Sequence, residues 1–201
     1  MKRKLGLILA MALLVGCSGG GSAATTATVP TGSSIPIGTT PPTSTAYVVI
    51  GVDGRQHSVP AEPDASANKA TITGIDSNGD GIRDDVERWI AATWKPGSKE
   101  FFAVRQLARD NQGFITDIVS INDVTKHAKM DVTAKAIACA WIAYPGFPGK
   151  AGDGLLVSVK EQTLNTAARW KAFYDGDAKM GGAISDGKYD RFPESEVCEG
   201  R

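Results

Sequence analysis

From Asp76 to Glu87 the chain reads Asp-Ser-Asn-Gly-Asp-Gly-Ile-Arg-Asp-Asp-Val-Glu, with side-chain oxygens at Asp76, Asn78, Asp80, Asp84 and Glu87 and Gly81 in sixth place. The residues fit the pattern D-x-[DN]-x-[DN]-G-x5-E, in which alternate residues of a tight loop aim oxygens at one centre. A hard divalent ion such as calcium takes six to eight oxygens, and a glycine at the sharp turn lets the loop close around it. The Ile82 backbone carbonyl would donate from seventh place, and Glu87 could close the shell with both carboxylate oxygens. A solvated acidic turn ahead of a helix is the plainer alternative, since Asp and Asn are ordinary turn residues. The ordered match across the loop favours calcium as the cofactor.

Little else in the chain has the spacing of a reactive site. Its two histidines, His57 and His127, lie far apart, so no zinc motif forms. No serine or cysteine triad has local support, and no glycine-rich phosphate loop is present. A cation bound by the loop carboxylates would hold them ionised and occupied, which argues against a general acid or base role. The chain therefore reads as a structural or partner-binding protein rather than an enzyme. The competing reading is an envelope hydrolase, or an accessory factor of one, with its site in the loop 145–153 or in the C-terminal tail.

The cysteines fix an address. Lys2, Arg3 and Lys4 precede an apolar run of eleven residues, Leu5 to Val15, too short to span a bilayer and suited to a signal peptide. The run ends in Leu14-Val15-Gly16-Cys17, which resembles a bacterial lipobox. The resemblance implies cleavage after residue 16 and a lipid on Cys17, so the membrane is a partner through that lipid. Ser18 follows, where an Asp would favour the inner membrane, so the resemblance points to the outer membrane, facing the periplasm. Removal of residues 1–16 takes three of the 22 basic residues and none of the 22 acidic ones, leaving 19 against 22 and a formal charge of −3. That balance gives no reason to expect nucleic acid; another envelope protein is the remaining candidate partner. With Cys17 committed to lipid, Cys139 and Cys198 form an even pair in an oxidising compartment, and a disulfide between them would pin the tail across the helical part.

Several elements must position these residues. Residues 17–46 are mostly Gly, Ser, Thr, Ala and Pro and read as a disordered tether. Tyr47 to Val52 and Arg55 to Val59 flank Asp53-Gly54, a two-residue hairpin signal, and Pro60 to Asp64 is a stiff connector. His57 is expected as an exposed strand residue. Beyond residue 65 the periodicity is helical. One helix starts near Arg83, with Asp84, Asp85 and Glu87 in its first turn, and stops at Pro96-Gly97. A second runs from Lys99 to about Ser120 with Ser98 as N-cap and Phe101, Val104, Ala108, Ile115 and Ile118 in a stripe. A third spans about Val124 to Tyr144. It carries Met130, Ala134, Ile137, Trp141 and Tyr144 along one side, and Ala136, Cys139, Ala140 and Ala143 where a neighbour can come close. A fourth is expected from about Gly154 to Tyr174, with residues 175–201 as an irregular tail. The expected fold is mainly α: a small bundle of about four helices, residues 65–201, behind an N-terminal β-hairpin at 47–64.

The stretch Asn68 to Arg88 resembles a segment found in uncharacterised proteobacterial secreted proteins and lipoproteins, a likeness that implies a helical domain over roughly residues 47–175 and no particular activity. The loop also resembles the Asp-rich repeats of dockerins and of thrombospondin type 3 modules, and the calcium loop of EF-hands. Two departures from an EF-hand matter. Arg83 occupies eighth place, where a hydrophobe normally pairs two hands, and the residues before Asp76 do not read as an entering helix. A half EF-hand, loop plus exit helix, follows. Arg83 leaves open whether Glu87, Asp84 or Asp85 completes the shell.

Overall fold

The computed structural model describes residues 45–117, 119–144, 150–183, 189 and 192–200. The signal peptide read at 1–16, Cys17, nearly all of the tether, and residues 145–149 of the proposed binding loop lie outside them. A two-stranded hairpin is followed by packed helices, as the patterning predicts.

The hairpin pairs β1 (Tyr47–Ile50) with β2 (Gln56–Val59), antiparallel, Tyr47 opposite Val59 and Ile50 opposite Gln56. Its turn is longer than Asp53-Gly54 alone. Gly51 N–H donates to the Arg55 carbonyl at 2.8 Å and Gly54 N–H to the Gly51 carbonyl at 3.0 Å, so three residues, 52–54, make the bend with Gly54 at φ 75°. A three-residue bend with a left-handed third residue is a standard hairpin closure. What selects it is tertiary: Val52 N–H donates to the Pro96 carbonyl at 2.9 Å, and Asp53 sits against Gly97, where any Cβ would come within 2.3 Å of its carboxylate. His57 is half-buried rather than exposed. Its Nε2 lies 3.0 Å from Asp53 Oδ1 and its ring packs edge-on to Phe101 at 5.4 Å.

Asp64 caps α1 (Ala65–Ala70) by accepting from Ala67 N–H, and the helix stops well short of Asp76. No helix therefore leads into the loop, as the half-hand reading expects. The loop runs directly into α2 (Asp84–Thr93), whose first turn carries Asp84, Asp85 and Glu87, acids favoured at the positive end of the helix dipole. Ile82, Val86 and Ile90 are buried from this segment. Ser98 accepts from Phe101 N–H to start α3 (Lys99–Thr116). Phe101, Val104, Leu107, Ala108, Phe114 and Ile115 are buried along it, the expected stripe; Ile118 lies outside the described residues.

α4 (Lys126–Ala143) shows a clear reversal of emphasis. Its buried residues are the small ones, Ala136, Ala138, Cys139, Ala140 and Ala143, while Met130, Ile137 and Trp141 are only partly covered. Ala136 and Ala140 join the main core with Val104 and Leu107, and Cys139 and Ala143 meet Ala103. Small side chains let two backbones approach closely, so the alanine face decides the packing on α3 and the larger stripe fills the margins.

The single fourth helix expected at 154–174 is two helices. α5 (Lys150–Thr163) begins inside the stretch read as a loop, and α6 (Ala167–Lys179) runs past Tyr174. Between them Leu164 is fully buried, and Thr166 caps α6 by accepting from Arg169 N–H. The tail is also less irregular than expected. A short α7 (Glu194–Val197) places Val197 against Ala138 and Tyr189, and the Cys139–Cys198 disulfide closes with 5.0 Å between Cα atoms. Among the described residues no helix is long and apolar enough to cross a membrane.

Candidate metal centre

The loop is ordered by its own side chains. Asp76 accepts from Gly79 N–H at 2.8 Å and from Gly81 N–H at 2.9 Å; Asn78 Oδ1 accepts from Asp80 N–H at 3.0 Å, and Asp80 Oδ1 from Ile82 N–H at 2.9 Å. The oxygens at first, third and fifth place are thus committed to backbone N–H groups of the loop. Gly79 and Gly81 take φ of 71° and 85°, left-handed values that cost little only without a Cβ. At the far end Asp84 N–H donates to the Ile75 carbonyl at 2.9 Å while Ser77 N–H donates to Asp84 Oδ1 at 2.9 Å, so residues 75–77 and 84 clasp the loop's neck.

Of the three candidates for shell closure, Glu87 faces Asn78 and Asp85 faces elsewhere. Glu87 is 2% exposed, and its Oε2 accepts from Asn78 Nδ2 at 3.0 Å. Asp85 gives both oxygens to Arg83, at 2.9 and 3.1 Å, and one also to Asn165 Nδ2. Asp84 is committed to the neck. Burial pushes the Glu87 carboxyl up to about 7; Arg105 pulls it down and the neighbouring Asp80 pushes it up again.

Two arginines of α3, not anticipated from the sequence, meet the loop. Arg105 Nη1 donates to Glu87 Oε1 at 2.5 Å and its Nη2 pairs with Asp80 Oδ2, so one guanidinium bridges the fifth and twelfth places. The Phe101 ring lies 5.5 Å from that guanidinium. Arg109 Nε donates to the Asp80 carbonyl at 2.7 Å and its Nη1 to Glu199 Oε2 at 2.6 Å. Both line a groove of about 580 Å³ with His57, Phe102, Glu87 and Glu199. The available signal was their spacing: Phe101, Arg105 and Arg109 recur every four residues on one side of α3.

Beneath the loop, Arg83 ties it to the end of α5 and Arg169 holds the backbone ahead of it. Arg83, fully buried, donates to the carbonyls of Thr163 at 2.7 Å and Gln162 at 3.0 Å and to Gln112 Oε1 at 3.2 Å. Those carbonyls belong to the last turn of α5, where a helix has unsatisfied acceptors and a negative dipole end. Arg169, also fully buried, holds the carbonyls of Asn68 at 2.5 Å, Thr71 at 3.1 Å and Ile72 at 3.0 Å, the backbone ahead of the loop. Desolvation, then the charge of Arg83, pulls its pKa down to about 10. Gln112 Nε2 adds the Thr73 carbonyl at 3.0 Å and Asn68 Oδ1 accepts from Ile75 N–H at 2.8 Å. Gly74 lies where these converge: a Cβ there would meet Arg83 Cδ at 2.2 Å.

The donor set is all oxygen and suits a hard ion. Among the described residues, however, no three Asp, Glu, His or Cys side chains gather into a metal-holding group. The carboxylates instead take backbone N–H groups and Arg105. A calcium shell at these positions requires Glu87 and Asp80 to turn from Arg105, and Asn78 to present its oxygen where its NH₂ now faces Glu87. No protein-family model, curated protein sequence or solved structure matches the chain.

Proposed function

We propose that the protein is a calcium-binding lipoprotein of the bacterial cell envelope with a structural or partner-binding role. The observation that carries this reading is the ordered match of residues 76–87 to D-x-[DN]-x-[DN]-G-x5-E, on a loop that turns through left-handed Gly79 and Gly81 and is held by hydrogen bonds of Asp76, Asn78 and Asp80 to its own N–H groups. Asp76, Asn78, Asp80, the Ile82 carbonyl and Glu87 would hold the ion, with Asp84 at the neck. Calcium supplies charge compensation there, and its effect on the fold is to fix the start of α2, since Ile82 and Val86 carry the loop into the core. A Cys139–Cys198 bond suits an oxidising compartment and supports the envelope address, as does the lipobox-like sequence ending in Cys17. The partner-binding side draws on Val48, Ile50 and Val52, exposed at the hairpin.

Extracellular calcium modules bind at about 0.1–1 mM. At 100 times the dissociation constant, linkage stabilises the native state by about 2.7 kcal/mol. Calorimetric melting of the full-length chain in detergent, with calcium and with EDTA, tests this. The melting temperature is expected to rise with calcium. An unchanged melt, with no calcium retained on equilibrium dialysis, refutes the reading.

A further inference from the structure

Between α3, α4, α5 and α6 lies a second cavity, of about 200 Å³, that shares no lining residue with the groove beside the loop. Its origin can be traced to α4. Ala136, Ala140 and Ala143, which bring that helix close to α3, sit in its C-terminal half. Nearer its start, Met130, Thr133 and Ile137 face the cavity instead. Phe114 and Phe173 form part of the wall as a tilted ring pair 5.1 Å apart, with Met130 and Met180 packed beside them. Unbranched methionine side chains adapt to whatever fills such a space. An apolar cavity of about 150 Å³ takes up benzene, so this one has room for a single aromatic ring and a short polar arm.

The polar groups of the wall set the class of ligand. Asp110 is buried, and its Oδ1 accepts from Thr133 Oγ1 at 3.1 Å and lies 3.2 Å from Lys129 Nζ, so its charge is already offset. Lys160 is differently placed. It is half-buried, and its ammonium stands over the Phe173 ring, 4.6 Å from the centroid. Among the described residues no carboxylate pairs with it, whereas Lys126, Lys129 and Lys171 each pair with an aspartate. A ring face gives a cation only part of what an anion would, so an anion arriving beside that ring completes its surroundings. The other carboxylate of the wall, Asp177, is exposed and its field is screened by water and salt. We propose that this cavity binds a small aryl carboxylate, its ring against Phe114 and Phe173 and its carboxylate on Lys160. The site stands apart from the calcium loop, and neither reading rests on the other.

The plainer alternative is a gap between loosely packed helices, which would bind apolar molecules without regard to charge or not at all. Phenylacetate, benzyl alcohol and phenethylamine carry the same ring with a negative, a neutral and a positive arm. Each is titrated into the full-length chain in non-ionic detergent, labelled with nitrogen-15 at phenylalanine, and the amide shifts of Phe114 and Phe173 are followed. Phenylacetate is expected to bind about tenfold more tightly than benzyl alcohol, the difference that one hydrogen bond to a charged group makes. Phenethylamine is expected to bind more weakly than either. Lys160→Gln should lower phenylacetate to the level of benzyl alcohol and leave benzyl alcohol unchanged, while Lys160→Arg, which keeps the charge, should keep the preference. If Lys160→Gln does not fold, the charge order in the wild type decides the matter. Absence of a saturating shift with phenylacetate overturns the proposal, as does an order that ignores or reverses charge, or a preference that survives Lys160→Gln.

Discussion

Arg83 and Arg105 both serve the segment 76–87, yet they hold different things. Arg83 is fully enclosed and spends most of its donors on backbone carbonyls of Gln162 and Thr163 and on the Gln112 amide. Arg105 remains partly open to solvent and holds side-chain carboxylates, Asp80 and Glu87. A carbonyl at a helix end has no other partner to take once it is buried, so the first arginine is fixed by the fold. Arg105 spends its donors on carboxylates and keeps part of its side chain in water, so it is less firmly fixed than Arg83. Burial and the nature of the acceptor, not the residue type, separate a clamp from a counter-ion.

The comparison is sharpest under substitution. Arg83→Met removes the clamp, strands buried acceptors and the Asp85 carboxylate, and should cost about 3–5 kcal/mol in urea denaturation. The loss should be the same in calcium and in EDTA; a calcium-dependent loss would mean that Arg83 is not fixed by the fold alone. Gly74→Ala attacks the same clamp from the backbone. Gly74 has φ 65° and a Cβ would sit 2.2 Å from Arg83 Cδ, so alanine should cost about 2 kcal/mol or more by the same measurement. Survival of full stability would mean that Arg83 is not tightly held.

The smallest effect belongs to Asp85. Burial pushes its carboxyl up, but the hydrogen bond and charge of Arg83 outweigh burial and hold it below the ordinary carboxylate range. A depressed acid stabilises the fold above its unfolded pKa, and the contribution is lost as pH falls through the folded value. Asp85→Asn should therefore cost about 1 kcal/mol at neutral pH, with the gap to wild type closing below about pH 4. Thermal melts across that range check it, and a gap that does not change with pH would remove the charge from the account.

The legible parts of this molecule are those whose causes are local. The loop pattern, the Ser98 cap and the acids at the start of α2 each depend on residues within a turn or two of one another. The Cys139–Cys198 bond was legible by another route, the parity of cysteines left once Cys17 is assigned to lipid. The break between α5 and α6 was not. Thr166 is a good cap, but the carbonyls that end α5 are satisfied by Arg83, 79 and 80 residues earlier in the chain, and no periodicity carries that information. The hairpin bend was misjudged for the same reason, because the Pro96 carbonyl claims Val52 N–H. On α4 the close-approach face, Ala136, Cys139, Ala140 and Ala143, was legible, but not that it outranks the larger stripe in packing on α3. Arg105 needed both the loop and α3 in place before its role could be read at all.

Residues 197–199 close against the middle of α3. Gln106 Nε2 donates to the Val197 carbonyl at 2.8 Å, Gln106 Oε1 accepts from Glu199 N–H at 3.1 Å, and Arg109 meets Glu199 across 90 residues of chain. A chain made from its N-terminus thus exposes one side of α3, and the Gln106 amide buried there in the finished fold, until residues 197–199 have been delivered. Closing so long a span is slow relative to forming the helices, because distant ends must meet before their contacts reward them. The Cys139–Cys198 bond, across 59 residues of chain, therefore forms late and seals helices already in place.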